Sequence, residues 1–206
     1  SSNSWATSTD QALTGTVRDA LRLGCAAIGF TIYPGSDHVF EQMEEIRAMS
    51  AEAKAVGLPT VIWSYPRGPK LSEAGERALD VVAYGAHMAA LLGAHIIKVK
   101  LPSAHVEQAE ARDAYAGRDW SAQVDRVAHV VEACFAGRRL VVFSGGVSKD
   151  EDAVLADAHD IAAGGGNGSI IGRNVFQRPR GEALALLARL IDVYRGAGPA
   201  LGDGGA

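Results

Sequence analysis

The sequence predicts an α/β protein made of repeating βα units on a parallel sheet. Three observations carry this reading. Short β-branched apolar runs recur at residues 26–32, 60–65, 96–100, 140–144 and 169–172. Amphipathic stretches of helical period lie between them, at 10–23, 37–56, 73–92, 120–135, 149–162 and 181–194. Gly24, Gly57 and Gly93 each stand between a helical stretch and the next apolar run, where a helix C-terminus favours a residue without a Cβ. Strand and helix in strict alternation place the strands side by side and parallel.

The elements follow in order. The apolar runs are nearly continuous, which predicts strands buried on both faces. In the second helical stretch, EQMEEIRAMSAEAKA, the residues Glu41, Glu44 and Glu45 read as a solvated face. Residues 100–120 are polar and read as a loop with a helical turn. Past Tyr194 the chain is Gly-rich (RGAGPALGDGGA) and reads as a flexible tail. The expected organisation is one domain over 1–195 and a tail over 196–206. Two architectures fit this pattern: an open doubly wound sheet, or a (β/α)8 barrel, which takes eight strands where five are visible.

Composition narrows the function classes. The chain has 206 residues, 48% hydrophobic and 21% charged, enough for one domain with a core and unlike a disordered chain. Its net charge is −4 without a basic block, which argues against binding to a nucleic-acid backbone. No apolar run reaches the roughly 20 residues of a membrane-spanning helix. The first residues, SSNSWATSTD, lack the charged and apolar regions of a signal peptide. Cys25 and Cys134 both fall in apolar segments and read as reduced core thiols of a cytoplasmic protein.

Several residues could carry chemistry. Lys98 and Lys100 stand at i and i+2 in HIIKVK, on one face of a strand. Burial and a neighbouring cation both favour the neutral form of an amine, and a neutral lysine forms Schiff bases with carbonyls. The alternative is that the strand ends there and both lysines reach solvent. Trp63 and Tyr65 share a face in the same way in TVIWSYPRG, where Pro66 and Gly68 turn the chain and leave Tyr65 and Arg67 at the C-terminal mouth of the strand. Sites of α/β folds lie at that mouth; a tyrosine there can relay protons and an arginine can take a phosphate. A core aromatic pair beside a surface arginine is the competing reading. Ser144, Gly145 and Gly146 follow the strand LVVF ahead of a helix, and Gly164–Gly168 leads into SIIGRNVF, where Gly172 and Arg173 close a strand. Glycines let backbone N–H groups approach an anion, so two such loops on consecutive strands read as paired phosphate cradles. The six histidines show no metal-ligand spacing, His87 reads as structural or exposed, and GxSxG is absent. No metal and no cofactor is expected.

AIGFTIYPGS, VIWSYPRG, IIKVK, VVFSGG and SIIGRNVFQRP, in this order, resemble the class I fructose-bisphosphate aldolases of archaeal type, the DhnA-type family. The similarity runs from about Asn3 to Tyr194. It implies a (β/α)8 TIM barrel of the class I aldolase superfamily, with roughly the last five βα units in this chain. It also implies a metal-independent lyase acting on a phosphorylated sugar in the cytoplasm, as a homo-oligomer. By the resemblance, Lys98 is the Schiff-base lysine, Tyr65 the proton donor and Trp63 a substrate contact. Arg67 and Lys100 are binding residues, and Ser144, Gly145, Gly146, Gly172 and Arg173 form the phosphate loops. The mechanism requires Lys98 to be uncharged and dry, facing Tyr65 and the two cradles.

The family's lysine strand is the sixth, and here two strands precede it. About three βα units therefore lack a counterpart, Ser1–Ser4 would end the third strand, and the family's Asp-His pair on the first strand has no equivalent. The expectation is an incomplete or truncated chain. Two alternatives to fructose-bisphosphate cleavage remain: a related Schiff-base enzyme on another phosphorylated keto sugar, and an inert phosphate-binding homologue.

Overall fold

A computed structural model describes residues 8–145 and 150–197. Five parallel strands form one sheet: β1 (Ile28–Ile32), β2 (Thr60–Ser64), β3 (Ile96–Lys100), β4 (Leu140–Ser144) and β5 (Gly168–Ile170). Each strand pairs with the next in the chain, in the order β1-β2-β3-β4-β5. A doubly wound sheet reverses its strand order at a switch point; a barrel does not. The unreversed order selects the barrel from the two expected architectures, and the five strands are part of one.

The helices are α1 (Val17–Arg22), α2 (Val39–Ala55), α3 (Leu79–Leu91), α4 (Arg112–Tyr115), α5 (Gln123–Ala133), α6 (Glu151–Ala163), α7 (Arg173–Phe176) and α8 (Arg180–Ala197). Most begin and end within a few residues of the apolar pattern that announces them. The first does not. Helix was expected over 10–23, but it starts only after Thr16. There the Thr16 side chain accepts from the Asp19 backbone N–H, and the Asp19 side chain reaches back to the Thr16 backbone, a reciprocal cap that sets a sharp start. The polar stretch 100–120 holds one 3-10 turn, Ala109–Ala111, and the single turn α4, as its composition suggests. Gly24, Gly57 and Gly93 take φ of +68°, +74° and +99° just past α1, α2 and α3, as expected of cap residues.

The sheet is sealed on one face only, which corrects the expectation of strands buried on both. Ile32, Ile62, Ile97, Val99, Val141 and Phe143 are wholly buried beneath the helices, against Ile46, Leu79, Val82, Ala86, Val127, Val130 and Ile161. Their neighbours along each strand point the other way: Thr31, Val61, Trp63, Ile96, Lys98, Lys100, Val142 and Ser144 are half-buried, and Leu140 and Ile170 are 48% and 43% exposed. The inner face mixes apolar residues of the kind that fill a barrel lumen with Thr31, Lys98, Lys100 and Ser144, and in the described residues it lies partly open. Cys134 is buried and burial pushes its thiol up to about 12; Cys25 is exposed, against the expectation that both are core thiols. Both are free. Among the described residues no helix is long and apolar enough to cross a membrane.

Because Phe143 sits at the centre of the covered face, Phe143→Ala should cost about 3–5 kcal/mol, read as a lowered urea midpoint. Leu140→Ala, on the open face of the same strand, should cost far less.

Candidate active site

The alternation that sends Ile97 and Val99 into the core sends Lys98 and Lys100 to the inner face. Register then aligns the rows. Trp63 pairs with Lys98, and Lys98 with Val142; one step on, Lys100 pairs with Ser144, and Ser144 with Ile170. Past the strand ends the chain turns sharply. Gly68 allows this for β2: a Cβ there would fall 1.7 Å from the Gly35 carbonyl oxygen, so no side chain fits. Arg67 donates its backbone N–H to Pro34 O at 3.0 Å, which ties the same turn to the loop after β1.

A cleft of about 500 Å³ opens at this end of the sheet. Tyr65, Arg67, Lys98, Lys100, Ser144, Gly145, Gly172 and Arg173 line it, so eight of the ten expected site residues meet in one place. Lys98 Nζ lies 5.7 Å from the centre of the Tyr65 ring. Among the described residues it meets no carboxylate. Lys100 is bound differently: its Nζ is 2.5 Å from Glu76 Oε2, and Arg67 Nε lies 3.7 Å from the same oxygen. Lys98 is half-buried, so the dry setting expected for it is not what these residues provide. Gly146 lies outside the described residues. Trp63 does not line this cleft. Its ring leans over Gly29, where a Cβ would fall 2.1 Å away, and it faces a separate hollow of about 350 Å³ beside residues 11–15.

The second expected anion cradle, which runs from Gly164 to Arg173, is split. Gly172 and Arg173 reach the cleft, whereas the glycines at 164–166 sit before β5, at the far end of the sheet, packed on Val127, Val131 and Ile161. The start of α6 is already occupied: the Asp150 side chain accepts from the Ala153 N–H, and Glu151 and Asp152 add negative charge to the first turn. Acidic groups there satisfy the helix dipole and disfavour an anion at the N-terminus of α6.

Sequence reasoning missed Glu76, Arg77, Asn174 and Phe176. The first two looked like the polar start of a helix; they sit instead on a 3-10 turn, Gly75–Arg77, at the rim. Asn174 is buried and donates to Gly145 O at 3.0 Å, joining the two loops beyond β4 and β5. Phe176 is 71% exposed and walls the cleft. A polar clip fixes the rim. Asp80 is buried and accepts from the Glu107 and Gln108 backbone N–H groups, each at 3.0 Å. Glu107 in turn accepts from Ser72 N at 3.0 Å, Ser72 Oγ at 2.9 Å and His105 Nε2 at 2.8 Å. The Ser72 backbone bond above all, with His105 and the Ser72 hydroxyl, holds the Glu107 carboxyl down at about 2. Among the described residues no three His, Cys, Asp or Glu side chains gather as metal ligands.

The site is thus a parallel partial barrel with two lysines at the mouth of one strand. The chain belongs to the DeoC/LacD aldolase family, whose model matches residues 2–178. It is 35% identical over 183 residues to the class 1 fructose-bisphosphate aldolase of Halobacterium salinarum, covering 89% of this chain and 61% of the relative. It is 34% identical over 185 residues to the class 1 enzyme of Thermoproteus tenax, covering 87% and 59%. Among solved structures, an archaeal fructose 1,6-bisphosphate aldolase matches at 30% identity with a TM-score of 0.76, over 93% of this chain and 67% of that one. Another, an archaeal aldolase with its catalytic lysine covalently bound to the carbinolamine intermediate of the substrate, matches at 30% identity and a TM-score of 0.75, over 92% and 66%. The chain thus spans about three fifths of the length of the curated relatives it matches.

The rim clip carries a pH signature. The folded carboxyl of Glu107 lies below its ordinary 4.5, so its contribution to stability is complete above that value and is lost as pH falls toward about 2. Glu107→Gln should therefore lower the urea midpoint at neutral pH, and the gap to wild type should close between pH 4.5 and 2. A gap that stays constant over this range would contradict the assignment.

Proposed function

We propose that this chain carries the Schiff-base half of a class I fructose-bisphosphate aldolase site and reversibly cleaves fructose 1,6-bisphosphate to dihydroxyacetone phosphate and glyceraldehyde 3-phosphate. One observation supports the reading above the others: Lys98 Nζ stands over Tyr65 without a carboxylate partner among the described residues, in a cleft rimmed by Arg67, Arg77, Lys100 and Arg173. The relatives bear the name of this activity, and one of them has been captured as a lysine carbinolamine.

The chemistry follows from the groups. The Lys98 amine adds to the C2 ketone to give a carbinolamine, which loses water to form an iminium. The C4 hydroxyl then gives up its proton, the C3–C4 bond breaks, and its electrons flow into the iminium as an enamine. Glyceraldehyde 3-phosphate leaves. Protonation at C3 and hydrolysis of the iminium release dihydroxyacetone phosphate and restore the amine. Tyr65 is the proton carrier in these steps. Arg67, Lys100 and Arg173 supply positive charge for the phosphates, and Ser144, Gly145, Gly146 and Gly172 supply hydroxyl and backbone donors. Trp63, one strand step below, contacts the substrate only by a turn of its ring. The iminium is the electron sink, so the reaction calls for no metal and no cofactor.

One domain over 1–195 fits the described sheet and helices; residues 196 and 197 still belong to α8, and the rest of the expected tail, 198–206, lies outside the described residues. The protein works in the cytoplasm, as a homo-oligomer. An unpaired exposed thiol, Cys25, supports a reducing compartment. Tyr84 and Leu91, 60% and 63% exposed and seven residues apart on α3, offer one apolar stripe for self-association.

Borohydride with dihydroxyacetone phosphate should label wild type irreversibly at Lys98, and Lys98→Met should abolish the label. Tyr65→Phe should keep the label while turnover drops by about 10²–10⁴-fold. Label retained in Lys98→Met, or activity lost on chelation with EDTA, would refute this function.

A further inference from the structure

Two lysines face the same cleft two residues apart, and either has the reach to attack a carbonyl there. Their surroundings differ in one respect. Lys100 Nζ is 2.5 Å from Glu76 Oε2, whereas Lys98 has the Tyr65 ring and no acid among the described residues. Glu76 is itself held in place. It rides on the Gly75–Arg77 turn, and its backbone N–H donates to Ser72 O at 3.2 Å. Ser72 is anchored by Glu107, and Arg77 O accepts from Ser103 N at 2.7 Å and from Ser103 Oγ at 3.0 Å. The carboxylate is thus fixed from both sides by the loop beyond β3, which also carries on from Lys100.

We infer that Glu76 is a positioning residue that decides which lysine reacts: it clamps Lys100 as one member of an ion pair and leaves Lys98 as the nucleophile. The inference rests on the Schiff-base reading and extends it. An amine attacks a ketone with its lone pair, and an ammonium engaged by a carboxylate has that pair occupied by a proton. The clamp also fixes Lys100 Nζ in space, so its charge faces the cleft without its chain swinging toward the ketone. Arg67, 3.7 Å from the same oxygen, is held by the same carboxylate, and three groups thereby share two positive charges and one negative. Without Glu76, Lys100 is released, and a second amine competes for the substrate.

The test uses the full chain, dihydroxyacetone phosphate and borohydride. The ketone and amine condense with loss of water, hydride from borohydride reduces the iminium to a stable secondary amine, and peptide mass mapping finds the modified lysine. Wild type should carry the label on Lys98, and Lys98→Met should be blank. Lys98→Met with Glu76→Gln should regain label, on Lys100, by about tenfold or more over Lys98→Met alone. Lys98→Met with Glu76→Asp, which restores the carboxylate, should be blank again. In the Lys98 background, Glu76→Gln should divide the label between the two lysines and change the pH profile of labelling. A structural role alone would do neither. A folded double variant that stays blank, together with a Glu76→Gln variant labelled only on Lys98 with an unchanged profile, would overturn the inference while leaving the Schiff-base reading intact. A wild-type chain that takes no label would overturn both.

Discussion

Each reactive side chain is held in place by the burial of the residue next to it. Lys98 stands between Ile97 and Val99, both fully enclosed beneath the helices. Rotating the strand to aim Lys98 elsewhere would pull these two out of the core, at about 1.5–3 kcal/mol for each side chain. The same holds for Ser144, whose neighbour Phe143 is wholly buried, and for Trp63, next to Ile62. A one-residue slip would invert every strand, so the alternation acts as a lock on register as well as on direction. The cleft therefore owes its shape to apolar side chains that never touch it.

The rim is built by other means. Strands end where the loops begin, and the loops have little apolar surface to bury. Polar groups take over: Asp80 caps the backbone of residues 107 and 108, Glu107 gathers Ser72 and His105, and Asn174 bridges to Gly145. These bonds tie neighbouring loops to one another, β2 to β3 and β4 to β5. They set where Glu76 and Arg77 stand and so distribute charge across the cleft. Apolar packing aims the strand residues, and a hydrogen-bonded collar aims the loop residues.

This division explains what was legible in the chain. Strands β3 and β4 match the apolar runs at 96–100 and 140–144 residue for residue, because period-2 burial writes itself into local sequence. Lys98, Lys100, Tyr65 and Ser144 were readable for the same reason, being strand residues or the first beyond. Glu76 and Asn174 were not. Their importance comes from contacts with Lys100, 24 residues on, and Gly145, 29 residues back, and no local pattern records those. The stretch 10–16 has an apolar rhythm that suggested helix, but the Thr16–Asp19 cap overrides it. The glycines at 164–166 looked like a second cradle because composition does not say at which end of a strand a loop lies. The inner face misled through its apolar members, Val61, Ile96 and Val142, since the residues a barrel lumen takes resemble those of a closed core.

One-sided enclosure separates two kinds of evolutionary freedom. The helix-covered residues are wholly enclosed, while Val61, Ile96 and Val142 on the lumen side are half-buried in the described residues. Those positions lie beside Lys98 on the inner face, Val142 paired with it and Ile96 two residues before it. Size and polarity beside Lys98 can therefore change without disturbing the layer that the helices cover.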